Sequence, residues 1–183
     1  GNISLANAST KFQGVGANDT AGRAIAGAAD VNNDSVMDVL VAAPRNDSNG
    51  WNSGAVYLFY GPIDRGELNV SEANATFVGA SGDHAGTSVA LGHLNDDGHA
   101  DIAIGGRGAT TTAPSAGVVY VVDGQTVPEG RILLNDTANA SVLAGESRGD
   151  YAGQSVAIAD NTSDDDPGRL VVGAPRDDDP ETN

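Results

Sequence analysis

Residues 30–44 read DVNNDSVMDVLVAAP, an acid-rich stretch that passes directly into an apolar run. Oxygen-bearing side chains alternate along its first half, and Val39, Leu40 and Val41 follow at once. The apolar run has the length and the β-branched composition of a short strand. The stretch therefore predicts a polar loop that leads into a buried strand. Its acids either hold a cation or form a solvated turn.

The same order of elements recurs along the chain. The tripeptide Ala-Asn-Ala occurs at residues 6–8, 73–75 and 138–140, which indicates a repeat architecture. Each period carries a first strand that ends in glycine, an Ala-Gly turn, a second strand, the polar loop and a third strand. A fourth strand, GAVYLFYG or GVVYVVDG, follows in the first two periods. We expect three repeats, at residues 1–65, 66–130 and 131–183, the last without its fourth strand.

Three motifs of this period resemble those of a known family. They are Phe-x-Gly near the start, Gly173-Ala174-Pro175 after the third strand, and the acidic loop between strands. Together they resemble FG-GAP repeats, the modules that build the propeller of integrin α-subunits. The resemblance covers essentially the whole chain, although the second repeat has Gly105-Gly106-Arg107 in place of Gly-Ala-Pro. It implies an all-β fold of propeller-type blades, each a four-stranded antiparallel unit.

Three repeats are too few to close a propeller, which usually has about four to eight blades. We therefore expect either that the sequence is part of a longer chain or that other protein chains complete it. The third repeat would leave an open sheet edge, which can accept a strand from a neighbour in a homo-oligomer or filament.

The first acidic loop has the spacing of a calcium site. The expected ligands are Asp30, Asn32, Asp34, the Val36 backbone carbonyl and Asp38. Calcium takes about six to eight hard oxygen ligands, and short Asp and Asn side chains supply them in a tight loop. Val41 stands where an EF-hand needs glutamate, so an EF-hand is excluded. The loop resembles the nine-residue calcium loops of FG-GAP repeats, with Ser35 where glycine is usual, and we expect a structural Ca²⁺ there.

The other two loops depart from this pattern. In the second loop the expected ligands are Asn95, Asp97, the His99 backbone carbonyl and Asp101. Its first position is His93, a poor calcium ligand, so we expect a weaker site completed by water or Asp96; a zinc pair of His93 and His99 is the alternative. The third loop, residues 160–169, is one residue longer, and Arg169 stands where the other two loops have their last Asp, so its guanidinium can replace the cation. We expect that loop to bind metal weakly or not at all.

The charge of the chain excludes some partners. It has 25 acidic and nine basic residues, with a net charge of −16. Such a surface repels nucleic acid and anionic membranes, so we expect neither nucleic-acid binding nor membrane insertion. The composition, rich in Asp with a single lysine, resembles that of proteins from extreme halophiles, in which molar salt screens the repulsion.

Ten Asn-x-Ser/Thr sequons indicate a secreted or cell-surface protein, whose signal peptide is absent from this chain. We expect glycosylation at Asn7, Asn69, Asn74, Asn135 and Asn139. The alternative is that these residues are turn formers of a loop-rich fold.

The motifs favour a non-enzymatic function, because no nucleophile elbow or phosphate-binding loop is present. We expect a calcium-stabilised extracellular module that acts in adhesion or as a structural subunit of a surface or filamentous assembly. The alternatives are an accessory propeller domain of a larger secreted hydrolase or phospholipase, and a surface module that binds carbohydrate, with glycans as partners.

The tripeptide Arg148-Gly149-Asp150 is assigned to turn chemistry, because Gly149 and Asp150 recur at a repeat position. Trp51 either contacts a partner or packs on a neighbouring unit.

Overall fold

The computed structural model describes residue 4, residues 7–159 and residues 168–177. The described residues form short β-strands joined by turns, with 3₁₀ turns at Val70–Glu72 and Gly124–Thr126 and no α-helix. The strands are β1 (Thr10–Gln13), β2 (Ala24–Ala29), β3 (Asp38–Ala43), β4 (Ala55–Phe59), β5 (Gly66–Asn69), β6 (Ala75–Val78), β7 (Ala85–Gly92), β8 (Asp101–Gly106), β9 (Val118–Val122), β10 (Gly130–Leu133), β11 (Ser141–Ala144), β12 (Ser155–Ala159) and β13 (Arg169–Gly173). The prediction of an all-β fold built from propeller-type blades is confirmed.

The strands form two large sheets and two strand pairs. The first sheet has the order β10-β6-β4-β3-β2 and the second the order β11-β9-β8-β7. Within them β2, β3, β4 and β6 run antiparallel, as do β7, β8, β9 and β11, while β10 adds to β6 in parallel. β12 pairs with β13 antiparallel, and β1 pairs with β5 in parallel.

The sheets and the sequence repeats are out of phase. β6 is the first strand of the second repeat, yet it pairs with β4 and closes the sheet that the first repeat begins. β11, from the third repeat, closes the second sheet in the same way. The four strands of one repeat, which the period of the sequence groups in one unit, are therefore divided between two sheets.

The main core lies between the first two sheets. Large apolar side chains with almost no exposed surface meet there from both, among them Leu40, Val56 and Phe77 from the first sheet and Ile102 and Ile104 from the second. Successive strand residues point to opposite faces, so Val41, Tyr57 and Phe59 form a separate cluster on the other face of the first sheet. β3, β4, β8 and β9 are apolar and buried on both faces, and removal of this surface from water stabilises the fold.

β1 covers part of that second cluster. The rings of Phe12 and Phe59 lie 4.9 Å apart at an interplanar angle of 52°. An inclined pair of this kind is a favourable arrangement of aromatic rings. The β1–β5 pair is thus anchored to the first sheet through its side chains and does not extend that sheet.

We call β2–β4 of the first sheet and β7–β9 of the second sheet the inner strands, so that β4 and β9 are the last inner strands. Neighbouring sheets meet at the glycine that precedes each of these two strands. Gly54 precedes β4 and forms a bridge with Ala85, and Gly117 precedes β9 and forms the same bridge with Ala152. Both glycines have positive φ, +77° and +86°, and a Cβ atom at either would overlap backbone atoms of the bridged alanine. Only glycine suits this approach. β7 in turn packs between β2 and β12, so the three second strands of the repeats lie side by side.

Candidate functional site

The first acidic loop is shaped by carboxylates that accept backbone amides. Asp30 accepts from the amides of Asp34, at 3.1 Å, and Ser35, at 2.6 Å. Asp34 accepts from the amide of Val36 at 2.8 Å. Ser35 has φ +68°, and Gly98 in the second loop has φ +83° at the corresponding position. This left-handed turn is the reason why glycine is usual there.

Asn32 differs from its neighbours, since its Oδ1 atom is buried with no hydrogen-bond partner among the described residues. Its Nδ2 atom donates to Asp34 Oδ2 at 3.0 Å. Buried polar atoms are nearly always hydrogen-bonded, so an acceptor without a partner beside a carboxylate fits a cation ligand.

Asp38 and Asp101 are the ninth residues of the first two loops, and they are almost completely buried, with 0% and 1% exposed. Each carboxylate accepts one amide from the start of its loop: Val31 donates to Asp38 at 2.7 Å, and Leu94 donates to Asp101 at 2.8 Å. Each also accepts a glycine amide that follows the last inner strand. Each of these two acids thus links its own strand to the start of its loop and to the segment that follows β4 or β9.

The glycine donors are Gly61, at 2.9 Å from Asp38, and Gly124, at 3.2 Å from Asp101. The spacing of acids within a loop does not predict these donors. The glycine that follows both GAVYLFY and GVVYVVD was the signal in the sequence that could have indicated them. Burial raises the pKa of the Asp38 carboxyl, the bonds from Gly61 and Val31 lower it, and the charges of Asp30 and Asp34 raise it further. The three acids of the loop therefore repel one another when ionised.

The second loop repeats part of this geometry and contacts the first loop. Asn95 Oδ1 accepts from the Asp97 amide at 3.1 Å, and Asp97 Oδ1 accepts from the His99 amide at 2.8 Å. His99 Nδ1 lies 3.3 Å from the backbone oxygen of Val31, and the Ala100 amide donates to the backbone oxygen of Asp30 at 3.2 Å. The two loops thus lie side by side at one edge of the sheets.

The carboxylates do not form a ready-made metal cluster. Within the described residues, no three His, Asp or Glu side chains gather at metal-binding distance. Each carboxylate of the first loop instead faces backbone amides, although a carboxylate has about four acceptor positions and such bonds leave some free. Residues 160–167 of the third loop lie outside the described residues, and Arg169 begins β13.

A second set of acids, Asp19, Asp83 and Asp150, follows the repeat, and Asp83 and Asp150 are buried while Asp19 is half-buried. The sequence showed the repeat position of Asp150, but not the partners of these acids. Asp83 Oδ2 accepts from the Tyr120 hydroxyl at 2.6 Å and from the Ala80 amide at 2.8 Å. Burial raises the pKa of the Asp83 carboxyl, against the effect of the bond from Tyr120. Asp19 Oδ2 accepts from Asn46 Nδ2 at 2.8 Å, and that nitrogen lies 3.5 Å from the Tyr57 hydroxyl. In both sheets the acid is thus linked to a tyrosine of the last inner strand.

Asp150 has no such bond to a tyrosine in the part of the chain that the structure describes. Its Oδ2 atom accepts from the Ser147 amide at 2.7 Å, but its Oδ1 atom is buried with no hydrogen-bond partner among the described residues. Only 3% of Asp150 is exposed. The carboxylate of Arg148-Gly149-Asp150 therefore faces the interior of its turn, as the assignment to turn chemistry expects.

The sequons differ in exposure. Asn7, Asn74, Asn135 and Asn139 are exposed. Asn69 is half-buried, and its Oδ1 atom accepts from the Ser71 amide at 2.9 Å to cap the 3₁₀ turn. Asn2 and Asn161 lie outside the described residues.

The described part of the chain has no helix of the length and hydrophobicity needed to cross a membrane.

A comparison with curated proteins found no match. A family model described as FG-GAP repeat matches residues 21–59 and 85–122. The first match spans β2 to β4 and the second spans β7 to β9, and the expected third repeat at 131–183 lies outside both. FG-GAP repeats form propeller-type modules that are typical of extracellular proteins and often serve adhesion. The chain therefore carries FG-GAP repeats at residues 21–59 and 85–122, and each supplies the three inner strands of one propeller-type blade.

Proposed function

We propose that this chain is a calcium-stabilised FG-GAP module of an extracellular or cell-surface assembly, and that it binds another protein segment through the open edge of β13 in the β12–β13 pair. The observation that carries the proposal is the buried Asp150 carboxylate, which has no tyrosine partner among the described residues.

The edge itself supports this function. β3 and β8 each pair with a strand on both sides, whereas β13 pairs only with β12 among the described residues. Val171 of β13 is 57% exposed, while the corresponding Leu40 and Ala103 are fully buried. An exposed row of unpaired backbone groups with apolar side chains is a ready site for an added strand.

The Asp150 carboxylate indicates which strand fits. Tyr57 lies opposite Val41, and Tyr120 lies opposite Ile104. Val172 holds the same position in β13. A strand that places a tyrosine opposite Val172 would bring its hydroxyl to Asp150, as Tyr120 does for Asp83. We therefore propose an alternating apolar strand with a central tyrosine as the partner.

A synthetic peptide tests this partner. A labelled peptide with the sequence of residues 116–124, AGVVYVVDG, should bind the protein saturably. The same peptide with phenylalanine in place of tyrosine should bind about 3- to 10-fold more weakly, because it lacks the hydroxyl donor to Asp150. In the Asp150→Ala variant the two peptides should bind alike. Equal binding of a scrambled peptide, or no binding, would reject the proposal.

Calcium binding is the second part of the proposal. It is supported by the oxygen-only ligand set of the first loop, by the orphan Asn32 Oδ1 atom and by the mutual repulsion of Asp30, Asp34 and Asp38. Bound calcium would offset that repulsion and fix the turn between β2 and β3. The second loop, with His93 in place of the first acid, would bind more weakly.

Thermal unfolding with calcium and with chelator tests this part. Calcium should raise the melting temperature, and Asp34→Ala should remove most of the gain. Asp64→Ala, which removes an exposed acid outside both loops, should keep the full gain. A melting temperature that is the same in calcium and in chelator would contradict the proposal.

A further inference from the structure

Arginines gather at one cavity of this acidic molecule. The chain has eight arginines, and three of them line a cavity of about 240 Å³ between the first and second sheets. Its polar lining consists of Thr20, Arg23, Arg45, His84, Thr87 and Arg107. None of the described lining residues is acidic, although the chain carries a net charge of −16.

The positive charges of two of these arginines both act on the His84 side chain. Burial lowers the pKa of His84, and the positive charges of Arg107 and Arg45 lower it further, while the Pro44 carbonyl and Asp83 act in the opposite direction. The two arginines come from different sheets, after β3 and after β8. Both sheets thus direct cationic groups toward His84.

These arginines lack counter-ions in the part of the chain that the structure describes. None of Arg23, Arg45 and Arg107 forms an ion pair there, and Arg107 donates only a long bond, 3.4 Å, to Gln154. At the corresponding place in the third repeat, Arg176 lies over the ring of Tyr151, 5.0 Å from its centroid. There a cation–π contact accompanies the guanidinium, whereas the cavity leaves its three guanidinium groups available to an anion.

A second, more open cavity adjoins the first. It measures about 520 Å³ and shares Arg45 and His84 with it. Its wall includes Trp51, which is 71% exposed and stands edge-on to the His84 ring with centroids 6.2 Å apart. Asp19 and Asp47 also line it, so this cavity is mixed in charge.

The loop that carries Trp51 is held in place. The Trp51 carbonyl accepts from the Gly82 amide at 2.8 Å, and the Asn52 carbonyl accepts from the His84 amide at 3.0 Å. The Asn52 amide donates to Asp47 Oδ1 at 2.7 Å. A large aromatic ring is therefore presented to solvent on an ordered loop, which lowers the entropy that a ligand must remove.

We propose that the two joined cavities bind an acidic saccharide. Its carboxylate would accept from the guanidinium groups of Arg23, Arg45 and Arg107, and an apolar face of its ring would pack on Trp51. Its hydroxyls would donate to the carboxylates of Asp19 and Asp47. An acidic peptide would satisfy the arginines, but its chain offers neither a rigid ring face to Trp51 nor a row of hydroxyl donors to Asp19 and Asp47.

The saccharide would be the ligand of the adhesive role, so its biological use rests on the proposed function. The site itself requires neither calcium nor an added strand. The two proposals can therefore fail independently.

Trp51 is the only tryptophan of the chain, so its fluorescence reports occupancy of the site directly. We expect an oligogalacturonate to change the emission of the whole protein saturably. Its methyl ester, which has the same rings without the charge, should bind at least about tenfold more weakly. Oligoglutamate and inorganic sulfate, measured at the same ionic strength, test a peptide and a free anion as sources of the charge.

Two variants locate the binding. Arg45→Gln should weaken oligogalacturonate binding by about tenfold, whereas Arg65→Gln, an exposed arginine outside both cavities, should leave it unchanged. Trp51→Ala removes an exposed side chain and should preserve the fold, and calorimetry should show weaker binding of oligogalacturonate to it.

The proposal is overturned if the methyl ester binds as tightly as the acid, if Arg45→Gln has no effect, or if oligoglutamate or sulfate binds as well as the saccharide. Each titration is repeated with calcium and with chelator. Saccharide binding that persists while calcium leaves the melting temperature unchanged would reject only the calcium proposal.

Discussion

Three corresponding residues, Thr20, His84 and Tyr151, adopt a left-handed backbone with φ between +55° and +59°. This conformation is uncommon outside glycine, and costs of order 1–3 kcal/mol are typical. Each residue directly follows a buried or half-buried acid of the repeat, and in the second repeat Asp83 holds the turn by accepting from Ala80. The acid thus fixes the turn that places His84 at the arginine cavity.

Asp83 should make stability depend on pH. Burial raises its pKa in the folded state above 3.8, so the folded state binds the proton more tightly than the unfolded state does. The contribution of Asp83 to the free energy of unfolding is therefore full below pH 3.8 and is lost as pH rises through the folded pKa. Asp83→Asn removes the titration and keeps an acceptor for Tyr120, so the variant should lose less stability than the wild type over this interval.

Urea denaturation of both proteins between pH 3.5 and 7 measures the difference. Asp136→Asn, at an exposed acid, serves as the control for the lost charge. Parallel pH profiles for Asp83→Asn and wild type would show that Asp83 does not contribute in this way.

At the scale of the element, two corresponding residues of the outer strands should differ in importance. Phe77 of β6 is fully buried between the sheets, whereas Leu143 of β11 is 46% exposed. Phe77→Ala should lower the free energy of unfolding by about 3–5 kcal/mol, because it empties a packed site. Leu143→Ala should cost about 1 kcal/mol, because little of its surface leaves water on folding. Urea denaturation measures both, and equal losses would contradict this account of the core.

The strands were predictable because their signal is local. β3, β8 and β13 each follow a polar loop as a short apolar run, and the structure has strands there. The sheet to which a strand belongs is not a local property. β6 stands at the start of a repeat in the sequence, yet it joins the preceding sheet, because pairing with β4 buries Phe77.

The candidate sites were likewise predictable only where their residues lie close together in the sequence. Spacing alone placed Asp30, Asn32 and Asp34 in one loop. It could not supply partners that are distant in the sequence, such as Gly61 for Asp38 or Tyr120 for Asp83. The arginine cavity also joins two repeats and has no motif of its own.

At the scale of the whole molecule, the net charge of −16 predicts that salt stabilises the fold. The Debye length falls from about 10 Å at 0.1 M to about 3 Å at 1 M, which screens the mutual repulsion of the acids. The melting temperature should therefore rise between 0.1 and 1 M KCl, as a halophilic origin would require. A variant that combines Asp64→Asn, Glu129→Gln and Asp136→Asn, all at exposed positions, should show a weaker rise. A melting temperature that falls with salt would contradict this prediction.

The offset between repeats and sheets affects how such a chain can grow. The second period gives its outer strand β6 to the sheet that the first period begins, and its own sheet takes β11 from the third period. Duplication of one whole period, from any starting point within it, therefore adds one complete blade and leaves the neighbouring blades intact. A gene with this layout can lengthen without a cut at a defined boundary. The same overlap ties adjacent blades together by backbone hydrogen bonds, so that one blade does not open without loosening the next.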